Sequence, residues 1–107
     1  MSYERLNTIL VVGNGGREHA IGWKLKASPH VRKIYFAPGN AGTHQQVGEN
    51  LDIGVENLEG LVRFAKDHKA FTFVGPEKPI ALGIEQVFSD EKLPIFAPSR
   101  KAALLES

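Results

Sequence analysis

The sequence predicts an α/β fold, a parallel sheet of about five strands with helices on both faces. Three observations predict it. Short apolar runs at Thr8–Val12, Lys33–Ala37 and Phe71–Val74 alternate with segments of helical period. The first run passes directly into Gly13-Asn14-Gly15-Gly16, three glycines in four positions. Proline and glycine punctuate the ends of elements, at Ser28-Pro29, Pro38-Gly39 and Gly75-Pro76. Right-handed crossovers then favour the strand order 3-2-1-4-5, with a switch point between the first and fourth strands.

Each element has its own justification. Thr8–Val12 is continuously apolar, as a strand buried on both faces should be. Arg17–Ser28 reads as a helix whose Ala20, Ile21, Trp23, Leu25 and Ala27 form a wide apolar arc, with Lys24 inside it. It stops before Pro29, because a residue preceding proline avoids the helical region. Lys33–Ala37 is the second strand, followed by a loop at Pro38–Thr43. Between Gln45 and Ile53 the pattern gives only Leu51-Asp52-Ile53 as a short strand. Asn57 is a suitable N-cap for a helix with Leu58, Leu61, Val62 and Ala65 in one stripe. Phe71–Val74 is the next strand and Gly75–Pro79 its loop. A helix over 80–89 places Ile80, Ile84, Val87 and Phe88 together, and Leu93–Phe96 is the last strand. Ser99 caps a final helix containing Ala102, Ala103, Leu104 and Leu105, without glycine, asparagine or proline to close it. The chain therefore reads as the first piece of something longer.

Composition narrows the function classes. The 107 residues suit one domain, 42% apolar and 23% charged. A net charge of +1 gives no field that would argue for nucleic acid. No apolar run approaches the roughly 20 residues that span a bilayer, and the start has no signal-like apolar core. Cysteine is absent, which removes disulfides and thiolate chemistry.

Three loops meet at the carboxyl edge of the expected sheet, where ligands bind in such folds. The glycine loop exposes the unpaired amides of a helix N-terminus, a favourable place for an anion. The same glycines would also serve tight strand-to-helix packing alone; an anion or polar substrate group is the preferred reading. Gly13 and Gly15 fit the dinucleotide spacing, but its third glycine position is Glu18. The second strand also ends without the acid that grips a ribose. A nicotinamide dinucleotide is therefore disfavoured. Arg17 offers a bidentate guanidinium for a phosphate, or else pairs with Glu18 or a neighbouring loop; both readings stay open. Glu18 itself is best read as a carboxylate in the first helical turn, favoured by the dipole. Gly39 and Asn40 sit either in a plain turn or at the ligand edge. Glu77, held between Pro76 and Pro79, is read as an acceptor for a substrate amine or hydroxyl, and Lys78 as solvated. The four histidines show no metal-ligand spacing, and no nucleophile arrangement appears.

Together these segments resemble the phosphoribosylamine–glycine ligases (glycinamide ribonucleotide synthetases), ATP-grasp enzymes of purine biosynthesis. The resemblance is carried by Gly13–Ala20, Trp23-Lys24-Leu25, Ala37–Thr43, Gly75–Ile80 and Ala102–Ser107, in the family's order over essentially the whole chain. Lys78 and Ile80 stand where the family pattern has Ala and Leu. The resemblance implies a Rossmann-like, pre-ATP-grasp domain over residues 1–107, with the ATP-grasp and C-terminal domains outside this chain. It implies an enzyme that joins phosphoribosylamine and glycine while ATP goes to ADP and phosphate. ATP and magnesium would bind mostly in the later domains, with no cofactor, metal or catalytic residue in this chain, which would be catalytically incomplete alone. Gly15, Gly16, Arg17 and Glu77 would bind the ribonucleotide, with Gly39 and Asn40 beside them. The expected partners are phosphoribosylamine and the remaining domains of the enzyme, not nucleic acid or membrane, and the expected location is cytoplasmic. The alternative is a stand-alone Rossmann-like nucleotide-binding or interaction module.

Overall fold

The computed structural model describes residues 8–97. Strand β1 (Thr8–Gly13) leads into helix α1 (Gly16–Lys26), then β2 (Lys33–Pro38), α2 (Ala41–Gln46) and β3 (Glu49–Asn50). Helix α3 (Leu58–His68), β4 (Phe71–Val74), α4 (Glu77–Ala81), α5 (Ile84–Asp90) and β5 (Ile95–Phe96) complete the order. The sheet is parallel throughout with order β3-β2-β1-β4-β5, as the crossover rule required. Ser99 and the helix expected after it lie outside the described residues.

β1 is the axis of the molecule. Ile9, Leu10, Val11 and Val12 are fully buried, two facing each side of the sheet. Each such side chain contributes on the order of 1.5–3 kcal/mol by leaving water. Leu10 and Val12 pack with Leu61, Ala65, Ile84 and Phe88 of α3 and α5. Ile9 and Val11 pack with Ile34 and Phe36 on the opposite face. Alternating sides thus anchor the one strand that carries the glycine loop.

Four elements differ from the sequence expectation, each for a physical reason. Of the apolar arc assigned to α1, Leu25 packs against the sheet core, but most of the arc turns away from it. Glu18 and Gly22 are its buried residues, while Ala20, Trp23, Lys24 and Ala27 are exposed. Residues 18, 22 and 25 share one helical line, and Gly22 presses on the Phe36 ring, so the backbone rather than a large side chain makes the contact. The segment expected to be a loop after β2 includes α2, capped by Asn40, whose side-chain oxygen accepts from Thr43 N at 3.0 Å. The third strand lies at Glu49–Asn50, two residues earlier than expected, pairing with Tyr35 and Phe36. Leu51 and Ile53 carry the apolar signal because they pack against the core as a coil. Finally, the helix expected over 80–89 starts at Glu77 and breaks at Gly83, whose φ of +92° suits glycine and closes α4 before α5 begins. Its expected apolar stripe still faces inward, with Ile84 and Phe88 fully buried.

α3 follows expectation closely. Asn57 caps it by accepting from Gly60 N at 3.0 Å, and Leu61 and Ala65 are buried. The helix ends on Lys69 in the left-handed region at φ +51°. His68 stacks on Phe64 at a centroid distance of 4.0 Å beside Tyr35, a packing role.

Candidate functional site

β1, β2 and β4 all deliver their carboxyl ends to one edge, and three connections meet there. Gly13 N-terminal to the turn adopts φ +138°, which a side chain would strain, and lets the chain swing into α1. Gly39 N donates to Gly13 O at 3.0 Å, and the Asn40 side-chain amide donates to Asn14 O at 2.8 Å. These bonds tie the β1 loop to the β2 loop. On the other side, Gly75 N donates to Val12 O at 3.1 Å, and Arg17 Nη1 reaches Gly75 O at 3.4 Å. The β4 loop is thereby joined to the first turn of α1.

Glu18 is the buried centre of this junction. Only 6% of it is exposed, and its Oε1 accepts from Gly15 N at 2.9 Å. This is half of a capping box, in which a third-position carboxylate reaches back to the N-cap amide. The same carboxylate lies where side chains at Gly13 and Gly75 would have to go; a Cβ on Gly13 would come within 2.6 Å of it, and one on Gly75 would collide with Oε2. A Cβ on Gly15 would lie 3.2 Å from Oε1. A side chain at 13 or 75 would thus have to displace the same carboxylate, held between two loops.

The β2 loop is fixed by a polar knot. Thr43 is fully buried, and its hydroxyl accepts from Asn40 N at 2.8 Å. Its single proton serves Asn50 Oδ1 at 2.7 Å or Asn40 O at 2.8 Å. Asn50 Nδ2 donates to Asn40 O at 2.7 Å, so β3 braces the loop from beneath. Gly39, at φ +74°, passes so close to Asn50 that a side chain there would strike it. The Ala37-Pro38 peptide bond just before is cis.

Of the sequence-selected residues, Gly15, Gly16 and Arg17 lie together at the α1 N-terminus, and Gly39 and Asn40 are hydrogen-bonded to the same loop. Gly16 and Arg17 are exposed, so their groups face solvent at this edge. Arg17 reaches a neighbouring loop carbonyl, one of the two alternatives its sequence position left open. Glu77 sits exposed at the first position of α4, two residues beyond Gly75. Lys78 is exposed and pairs with Glu56 at 3.8 Å, a surface contact of small energetic weight. Glu18, read correctly as a first-turn carboxylate, also positions the loops, as do Thr43, Asn50 and Gly75, which the sequence reasoning did not single out. Signals were present for two of them: a carboxylate three residues after Gly15, and Asn-x-x-Thr at 40–43.

With its exposed amides and one guanidinium, this edge can take an anion at the N-terminus of α1. The Gly15 amide is already committed to Glu18, leaving Gly16 and Arg17 as the first backbone donors. Among the described residues no three His, Asp, Glu or Cys side chains converge as metal ligands, and no helix is long and apolar enough to cross a membrane.

Comparison with known proteins adds an independent line. Residues 7–106 match the family model described as phosphoribosylglycinamide synthetase, N domain. A protein named phosphoribosylamine–glycine ligase from Vibrio vulnificus (strain YJ016) is 50% identical over 100 residues, covering 92% of this chain and 23% of the relative. One of the same name from Yersinia pestis is likewise 50% identical with the same coverage. Another from Haemophilus influenzae is 46% identical over 100 residues, again 92% of this chain and 23% of the relative. The chain thus spans about a quarter of the length of these relatives.

Proposed function

We propose a function from one premise: this chain belongs to the phosphoribosylglycinamide synthetase N-domain family. The three-loop edge is the part of a phosphoribosylamine–glycine ligase that holds phosphoribosylamine. The complete enzyme joins that amine to glycine, with ATP going to ADP and phosphate, in purine biosynthesis. Residues 1–107 form its single N-terminal, pre-ATP-grasp domain, and the ATP-grasp and C-terminal domains belong to the remaining three-quarters of the relatives' length.

The geometry supports the following roles. The substrate phosphate sits at the N-terminus of α1, on the Gly16 and Arg17 amides, with the Arg17 guanidinium as its charged partner. Glu77 accepts hydrogen bonds from the amine or a ribose hydroxyl. Gly39 and Asn40 form the neighbouring wall. ATP and magnesium supply the phosphoryl chemistry of the complete enzyme. In this reading the chain's own share is binding and orientation of the substrate. The same reading gives the protein a cytoplasmic location and, as partners, its small substrate and the other ligase domains.

The single observation that supports this reading is the Arg17 to Gly75 bond, which keeps an exposed guanidinium at the switch point between β1 and β4, beside the N-terminus of α1. Titration of the chain with ribose 5-phosphate, NAD and ATP tests it. Ribose 5-phosphate is expected to bind tightest; a preference for NAD would overturn the reading in favour of a nucleotide-binding module. The isolated chain is expected to show no glycine-dependent ATP hydrolysis.

A further inference from the structure

Glu18 stands at the third spacing position of what would otherwise be a dinucleotide-binding turn, after Gly13 and Gly15. In such turns a glycine there allows close packing, and a pyrophosphate rests on the helix N-terminus. Here the side chain is present, buried, and folded under the loop. Its Oε1 takes the Gly15 amide at 2.9 Å, and its carboxylate fills the space among Gly13, Gly15 and Gly75. Two consequences follow. One amide of the cradle is withdrawn from any ligand. A negative charge also sits beneath the inner half of the cradle, where burial weakens screening by water.

A single phosphate placed outward, over Gly16 and Arg17, meets the helix dipole and the guanidinium. A second phosphate reaching inward toward Gly13 and Gly15 meets the carboxylate, with no free amide at Gly15 to offset the repulsion. We propose that Glu18 is the specificity-determining residue of this edge: it confines the cradle to a phosphate monoester and rejects diphosphate-bridged ligands. This rests on reading the edge as a phosphate site, and it adds which class of phosphate the edge admits.

The test compares ribose 5-phosphate with ADP-ribose, by calorimetry on the full chain and on two variants. Glu18→Gln keeps an oxygen to accept from Gly15 N and removes the charge. Glu18→Gly restores the glycine spacing outright. For Glu18→Gln, the affinity ratio of ADP-ribose to ribose 5-phosphate is expected to rise at least about fivefold over the parent chain. An unchanged ratio, or an equal gain for both ligands, would overturn the proposal, since the carboxylate would then be only a general negative charge. Should Glu18→Gly lose its fold, Glu18→Gln decides alone, with the parent's thermal midpoint as the control for folding. Failure of the parent chain to bind ribose 5-phosphate would instead count against the proposed function. A gain in ADP-ribose binding by Glu18→Gln would still register separately.

Discussion

The Glu18 carboxylate occupies the volume that a side chain at Gly75 would need, although 57 positions separate the two residues along the chain. A feature of the first helix therefore bears on which residue fits at the end of β4. Gly75→Ala is expected to force either the carboxylate or the β4 loop aside, at a cost of about 1–3 kcal/mol. Gly16→Ala is the matched control, since nothing lies within 4 Å of a Cβ there, and it is expected to be neutral or slightly stabilising. Urea unfolding of the two variants measures the difference. Equal midpoints would mean that Glu18 moves freely and does not bind the loops together.

The knot under the β2 loop makes a second, separate prediction. Thr43→Val keeps the shape but removes, at a fully buried side chain, the acceptor of Asn40 N and the hydroxyl proton that serves Asn50 Oδ1 or Asn40 O, whose residues are partly buried. Buried polar groups left unpaired cost about 1–3 kcal/mol, and a loss of that size is expected. The Asn40 amide should also exchange with deuterium faster, because its bond to the hydroxyl is gone. Unaltered exchange at Asn40 would show that the loop is held by other contacts.

What was legible in the sequence, and what was not, divides along the range of the interactions involved. β1 and β4 were plain because continuous apolar runs mark strands buried on two faces, and the strand order followed from chirality. α3 was plain because Asn57 and the stripe of Leu58, Leu61, Val62 and Ala65 are local signals. α1 misled in part: Leu25 of its apolar arc does pack on the sheet core, but the close approach to Phe36 is made at Gly22, a residue with no apolar signature. The strand at Glu49–Asn50 was displaced toward Leu51–Ile53 because apolar residues can pack as coil against a core. α2 was hidden within a proline- and glycine-rich segment, although Asn40 and Thr43 form its cap. Of the site, Arg17 and the glycine loops were readable as local motifs. The joining of Glu18 to Gly75 was not, because nothing near either residue reports a contact between distant loops.

Arg17 is exposed and makes one long bond to Gly75 O, so its removal should leave stability within about 0.5 kcal/mol of the parent. Its charge-assisted contact with a phosphate would be worth about 1.5–3 kcal/mol. Arg17→Ala is therefore expected to weaken ribose 5-phosphate binding at least about tenfold without shifting the unfolding midpoint. Unchanged binding would remove Arg17 from the phosphate-binding role.

A pH effect is expected where α3 meets the end of α5. The Lys66 ammonium donates to Glu91 Oε1 at 2.8 Å, and this hydrogen bond, with the charge of Glu91, raises the lysine above its ordinary value of 10.5. A group raised on folding stabilises the fold fully below its unfolded value and loses that effect as pH climbs through the folded one. The stability difference between the parent and Glu91→Gln should therefore be present near neutral pH and shrink in strongly alkaline solution, as pH climbs past the ordinary lysine range. Because the pair is exposed, the difference should also fall in high salt. A difference that persists undiminished above that range would assign it to packing by Glu91 rather than to the ion pair.

Thr72 offers the opposite kind of test, a substitution expected to improve the protein. It lies on β4, fully buried and opposite Leu10 of β1, and among the described residues its Oγ1 is the buried side-chain polar atom without a hydrogen-bond partner. Val74, two residues on and so on the same face of the strand, belongs to the core cluster with Leu61, Ile84 and Phe88. A hydroxyl in such surroundings has lost its water without replacement, whereas a methyl of similar size loses nothing. Valine also suits a pleated, buried strand at least as well as threonine. Thr72→Val is expected to stabilise the fold by about 1 kcal/mol, which corresponds to a rise of roughly 4–8 °C in Tm for a domain near this size. Calorimetric melting of the two proteins side by side measures it. A lower Tm for the variant would show that the hydroxyl does find a partner, and that β4 is held by a polar contact as well as by its apolar faces.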